Sequence, residues 1–144
     1  MASVQDFQIE SASLGEQRTI SAFLPPGYRT RIKYPVLFCA DRQALKGFSH
    51  RLNEAIVRES VPSVILIGVH SSDQYRAHEY IDGADQQRFK SHECFFTDEI
   101  YRWAFAEFNL CTARQSCGIF GLSNGAAFAL SMATRHREKY GVVI

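Results

Sequence analysis

Three short runs of almost continuous apolar residues constrain this chain more than any other feature. They lie at residues 36–40, 64–69 and 117–120. A strand with one wet face alternates apolar and polar side chains, whereas a strand covered on both faces does not. The runs therefore predict central parallel strands with helices packed on both sides.

The rest of the pattern fills in an alternating order of strands and helices. We expect an antiparallel hairpin of residues 7–12 and 18–24, helices at residues 43–59, 95–108 and 126–139, a long polar loop at residues 70–91, and a short strand at residues 142–144. This order predicts one α/β domain over residues 1–144, with three layers, α/β/α, around a mostly parallel central sheet.

Composition limits the classes of partner. The 16 basic and 15 acidic residues leave a net charge of +1, and no basic run is present, so we expect no nucleic-acid and no membrane partner. The first ten residues do not resemble a signal peptide, and no apolar run is long enough to span a bilayer, which predicts a soluble cytoplasmic protein. The spacing of the four cysteines predicts reduced thiols and no metal site, and no cofactor is expected.

One motif carries chemistry, the sequence Gly121-Leu122-Ser123-Asn124-Gly125. A serine on a sharp turn between a strand and a helix needs small residues two positions away on each side. The predicted strand before the motif and the helix after it fit a nucleophile elbow, with Ser123 as the nucleophile. The alternative is a glycine-rich turn with an incidental serine.

From Arg18 onward, the chain resembles esterases of the enterochelin esterase and esterase D type, within the α/β-hydrolase superfamily. The residues that carry the resemblance are Phe23-Leu24-Pro25-Pro26-Gly27-Tyr28, Tyr34-Pro35-Val36-Leu37-Phe38-Cys39-Ala40-Asp41, Arg76-Ala77-His78-Glu79-Tyr80, Phe95-Phe96 with Glu99 and Trp103, the elbow motif, Arg135-His136 and Tyr140-Gly141. The resemblance implies hydrolysis of a small ester, and the chain would form the N-terminal half of the hydrolase fold.

The resemblance also implies where an oxyanion would bind. The backbone N–H of Asn124 would be one donor, and the loop that follows the third strand, with Arg42 as the candidate, would supply the second. Relatives commonly have glycine at the position of Arg42. The Arg42 side chain is thus expected to crowd the pocket, to bind an anionic acyl group, or to face solvent.

Three further residues are expected to line the site, namely Asp41, His70 and Arg76. His70 follows the fourth strand and is either a rearranged base or a strand-end histidine bonded to backbone or water. Arg76 is expected either to form part of a polar wall or to make an ion pair with Glu79 that orders the loop.

The resemblance places the acid and the base of a catalytic triad after the serine. Only His136 and Glu138 are candidates there, and the predicted helix carries both away from Ser123. Two hypotheses follow: a serine esterase whose triad is completed by further sequence or by a neighbouring subunit, or an inactive hydrolase fragment that acts as an oligomeric small-ligand-binding or interaction module. Either predicts a homodimer through the sheet edge at residues 142–144 or through the helix at residues 126–139.

Overall fold

A computed structural model describes residues 1–144, except for the side chain of residue 44. Its core is one six-stranded sheet with the order β1-β2-β4-β3-β5-β6. The strands are β1 (Ser3–Ser11), β2 (Glu16–Leu24), β3 (Val36–Ala40), β4 (Ile65–Val69), β5 (Cys117–Phe120) and β6 (Val142–Val143). β1, β2 and β4 pair antiparallel, whereas β3, β4, β5 and β6 run parallel. The predicted hairpin and the central parallel strands are confirmed.

Helices cover both faces of this sheet. They are α1 (Arg42–Val57), α2 (Arg76–Tyr80), α3 (Gln86–Cys94), a π-helical segment (Phe95–Ile100), α4 (Tyr101–Glu107) and α5 (Asn124–Arg135). A single 3₁₀ turn (Arg114–Ser116) precedes β5. In the described residues, no helix combines the length and the apolar character that a bilayer crossing requires.

The alternation of side chains along β3 explains the three layers. Phe38 packs on the face that carries the π-helical segment, α4 and α5, where its ring stacks on that of Tyr101 at 5.7 Å. Its neighbour Cys39 points to the opposite face and packs with Leu45 and Ile56 of α1. Because both faces of the strand are covered, its sequence is apolar without alternation. The predicted α/β/α architecture is confirmed.

The prediction of a loop at residues 70–91 is wrong. This region contains α2 and the start of a helix that runs without a break through residues 86–107. The Asp85 side chain caps this helix by accepting a hydrogen bond from the N–H of Arg88 at 3.0 Å. Because α3 buries few apolar side chains, its apolar periodicity is too weak to predict a helix. The last helix also begins earlier than expected, at Asn124, and ends at Arg135.

Candidate active site

The motif serine lies in a turn of three residues between β5 and α5. Ser123 has φ 58° and ψ −125°, a backbone conformation with positive φ that residues other than glycine rarely adopt. Ser123 is exposed. Its hydroxyl makes no hydrogen bond to another residue in the described part of the chain, so it is available to a ligand.

The two motif glycines are required by packing. A Cβ atom on Gly121 would overlap the backbone carbonyl of Gly125, one helical turn further along. A Cβ atom on Gly125 would lie 3.3 Å from Asp41 Oδ2 and 3.4 Å from Ala40 Cβ. The glycines therefore let the turn close on itself and let α5 approach the end of β3.

A second turn of similar character lies beside the first. Asp41 directly follows β3 with φ 60° and ψ 77°, and α1 begins at the next residue, Arg42. Because β3 and β5 are neighbours in the sheet, α1 and α5 begin close together. In residues 1–43 and 45–144, the N–H groups of Arg42 and Asn124 donate to no acceptor, and each belongs to the partly positive end of its helix.

The Asp41 carboxylate is buried in a polar network. Its Oδ1 accepts hydrogen bonds from Ser71 Oγ at 3.1 Å, Tyr80 Oη at 3.0 Å and Arg76 Nε at 2.8 Å. Burial alone would raise the pKa of Asp41, but the hydrogen bonds from Arg76 and Tyr80 hold that pKa below its ordinary value. Asp41 is therefore an anion at neutral pH that is fixed in place and does not act as a base.

Arg76 connects this network to the elbow. Its Nη2 lies 2.6 Å from Asp41 Oδ2 and 3.4 Å from the carbonyl oxygen of Leu122. The expected ion pair of Arg76 with Glu79 is wrong. Glu79 instead lies inside the protein and accepts from Arg18 Nη2 at 2.6 Å and from Arg88 Nη1 at 3.1 Å.

The Arg42 side chain turns toward the hairpin. Its Nε donates to Ser21 Oγ at 2.8 Å, and its Nη2 lies 3.4 Å from Asp6 Oδ2. None of the roles expected for this side chain, which were crowding the pocket, binding an anionic acyl group or facing solvent, involves these partners on β1 and β2. Only the backbone of Arg42 faces the same sheet end as the elbow, through the first turn of α1.

The histidines do not complete a triad with Ser123. His70 Nε2 lies 3.9 Å from Asp73 Oδ1, and the carbonyl oxygen of His70 accepts from Arg18 at 3.1 Å. His136 Nε2 forms a 2.7 Å hydrogen bond with Glu93 Oε2 at the end of α5. Among the described residues, no histidine or carboxylate is hydrogen-bonded to Ser123.

Sequence reasoning missed the support beneath the network. His92 is buried, with its ring centroid 5.5 Å from that of Tyr80, and its Nε2 lies 3.8 Å from Glu79 Oε1. Burial lowers the pKa of His92 to about 4, so its ring is neutral at pH 7. The buried Arg18–Glu79 pair ties α2 to β2 and so fixes Tyr80. The one sequence signal was an arginine directly before the mostly apolar stretch that ends β2.

The described residues contain no group of three or more histidine, cysteine, aspartate or glutamate side chains arranged to hold a metal ion.

A groove of about 600 Å³ lies on the α1 face of the sheet, beside β6. Apolar side chains form most of its lining, among them Phe48, Leu52, Phe120, Val142 and Ile144.

Residues 11–144 match the family model described as "Putative esterase". A ferulic acid esterase superposes with a TM-score of 0.82 at 19% identity, over 99% of this chain and 57% of that one. The enterochelin esterase of Shigella flexneri gives 0.82 at 17% identity, over 97% and 34%. An IroE-like serine hydrolase of Shewanella oneidensis gives 0.80 at 18%, over 98% and 49%. The chain thus spans between about a third and three fifths of these structures. Comparison with curated proteins finds no match.

Proposed function

We propose that the chain is a serine esterase with Ser123 as its nucleophile. The chain belongs to the esterase family, because its residues 11–144 match the model of that family. The observation that carries the proposal is the strained backbone of Ser123, which presents an exposed hydroxyl beside the first turns of α5 and α1. Backbone strain of this kind clusters at functional sites, which supports a role for the serine side chain.

In the proposed reaction, Ser123 Oγ attacks the carbonyl carbon of an ester and its proton passes to a general base. The carbonyl oxygen becomes an oxyanion, and the N–H groups of Asn124 and Arg42 stabilise it. The base returns its proton to the departing alkoxide, which leaves as the alcohol, and water then hydrolyses the acyl-enzyme to release the acid and restore Ser123. Since no described residue is bonded to Ser123 as a base, the base is proposed to come from another subunit or segment. The substrate is proposed to be a small ester, because the solved structures that the chain resembles include a ferulic acid esterase and an enterochelin esterase.

Labelling with a fluorophosphonate tests the nucleophile directly. We expect a covalent adduct on Ser123, located by mass spectrometry, and faster labelling when imidazole is added as an external base. Ser123→Ala should lose the adduct, whereas Ser131→Ala, at a half-buried position on the same helix, should keep it. An unlabelled wild-type chain, with and without imidazole, would refute the proposal.

A second candidate function is an oligomeric binding module, which the edge strand β6 favours. Val142 and Val143 are 40% and 44% exposed, and the apolar groove beside them has no charged lining residue. We propose that a second copy of this chain pairs with β6 around a two-fold axis, since nothing in this surface repels an identical one.

Light scattering at tens of micromolar tests the dimer. We expect twice the monomer mass for the wild type and the monomer mass for Val143→Lys. Leu130→Lys, on the exposed face of α5, is the matched variant. If it alone gave a monomer, α5 would be the interface, and a monomeric wild type would contradict the dimer altogether.

A cytoplasmic location is also proposed. All four cysteines are free thiols, and burial raises the pKa of Cys39 and of Cys117 to about 12. Such unreactive core thiols are compatible with a reducing compartment. Fractionation of the source cells with an antibody to the protein would test this, and a membrane or secreted pool would contradict it.

A further inference from the structure

One ion pair connects the two turns that carry the proposed oxyanion donors. Arg76 contacts both carboxylate oxygens of Asp41, at 2.8 and 2.6 Å, and the carbonyl oxygen of Leu122 at 3.4 Å. Asp41 directly precedes Arg42, and Leu122 is two residues before Asn124. A single guanidinium therefore fixes the spacing between the two donor turns.

The charge of Asp41 makes this connection more than a mechanical tie. Its Oδ2 lies 3.3 Å from the position that a Cβ atom on Gly125 would occupy, so the carboxylate adjoins the first turn of α5. An uncompensated negative charge there opposes the negative charge that develops on an ester oxygen during attack. Arg76 supplies the compensating positive charge.

We infer that Asp41 and Arg76 are positioning residues for ester hydrolysis, which hold the β3–α1 turn against the elbow and neutralise the carboxylate beside the oxyanion. This inference rests on the proposed function of Ser123. Neither side chain needs to contact the substrate, because both act through the backbone N–H groups of Arg42 and Asn124.

The rate constant of Ser123 labelling by a fluorophosphonate tests the inference. Arg76→Leu should lower it roughly tenfold to a hundredfold, since small misplacements of catalytic groups have effects of this order. The double variant Asp41→Asn/Arg76→Leu should be several-fold faster than Arg76→Leu, because the uncompensated charge is gone. A role in anchoring alone predicts no such recovery. A double variant no faster than Arg76→Leu would overturn the inference.

A matched control exists on the protein surface. Arg102 contacts both oxygens of Asp98 at 3.0 and 2.8 Å, the same two-point geometry. Arg102→Leu should leave the labelling rate within about twofold of the wild type, because surface ion pairs contribute little. If Arg76→Leu fails to fold, Arg76→Lys replaces it. Lysine keeps the charge but not the two-point contact, so we expect a several-fold loss, and a wild-type rate would overturn the inference.

Failure of the proposed function can be told apart from failure of this inference. If the wild type is never labelled, the function of Ser123 is refuted, and amide NMR then decides the positioning role. The N–H resonances of Arg42 and Asn124 should both shift or broaden in the Arg76 variant and stay in place in Arg102→Leu. Unmoved resonances in the Arg76 variant would overturn the positioning role.

Discussion

Two neighbouring turns of this protein each place a non-glycine residue at positive φ, although ψ differs, at 77° for Asp41 and −125° for Ser123, and the two turns serve different ends. Asp41 and Ser123 each have φ near +60° directly before a helix, at 60° and 58°. A non-glycine residue there costs about 1–3 kcal/mol. At Asp41, side-chain hydrogen bonds to a buried carboxylate offset this cost. At Ser123 the packing of Gly121 and Gly125 offsets it, and the hydroxyl has no partner among the described side chains. The comparison teaches that a free polar group on a strained turn needs support from its neighbours.

The largest expected effect comes from the packing that supports Ser123. Gly121→Ala places a Cβ atom inside the carbonyl group of Gly125, so the turn must open, and we expect a loss of about 4 kcal/mol or more in the free energy of unfolding. Urea denaturation measures this. Gly47→Ala, which meets open space in α1, should instead gain about 0.5–1 kcal/mol. A native-like Gly121→Ala would show that the turn does not depend on its glycines.

A smaller loss is expected from the hydrogen bonds that support the other turn. Asp41→Ala leaves Arg76 and the hydroxyl of Tyr80 without their acceptor and should lower the free energy of unfolding by about 2–3 kcal/mol at pH 7. Ser123→Ala should change it by less than about 0.5 kcal/mol, since its hydroxyl has no partner in the described structure. Equal losses of unfolding free energy in Asp41→Ala and Ser123→Ala would contradict the different roles of the two side chains.

The contribution of Asp41 to the free energy of unfolding should also depend on pH. Its folded pKa lies below the ordinary value, so its stabilisation is present above the ordinary carboxyl pKa and is lost as the pH falls through the folded pKa. The stability difference between wild type and Asp41→Asn should therefore shrink from about pH 5 toward pH 2. Both proteins keep Glu79, so the difference isolates Asp41. A difference that is constant with pH would contradict this.

The smallest expected change in stability isolates the backbone strain at Ser123. Ser123→Gly should raise the free energy of unfolding by about 1 kcal/mol, because glycine adopts this backbone without strain. Asp41→Gly, at nearly the same φ, should lower it, because the carboxylate is lost. Glu59→Gly, at φ 59°, is the control for a positive φ away from the elbow and should also raise the free energy of unfolding. A destabilised Ser123→Gly would mean that the turn is not strained.

The sequence predicted the central strands well and the polar region poorly. The bounds of β3 and β5 were predicted residue for residue, because burial on both faces leaves a continuous apolar run. In contrast, α2 and α3 were missed, since they bury mainly polar or isolated side chains such as Glu79, Phe89 and His92. The expected Arg76–Glu79 pair joined two residues close together in the predicted loop, but in the structure Arg76 pairs with Asp41 and Glu79 pairs with Arg18.

The sequence by itself determined the alternation of strands and helices, the apolar central strands and the glycine-flanked turn at Ser123, because each depends on residues close together in the chain. Only the tertiary structure decided that Arg76 pairs with Asp41, Glu79 with Arg18, and Arg42 with Ser21 and Asp6. The first two pairs join residues 35 and 61 positions apart. The physical reason is the strand order: β4 lies between β2 and β3, so charges that are remote in sequence meet at the end of the sheet where β3 and β4 finish and the antiparallel β2 begins.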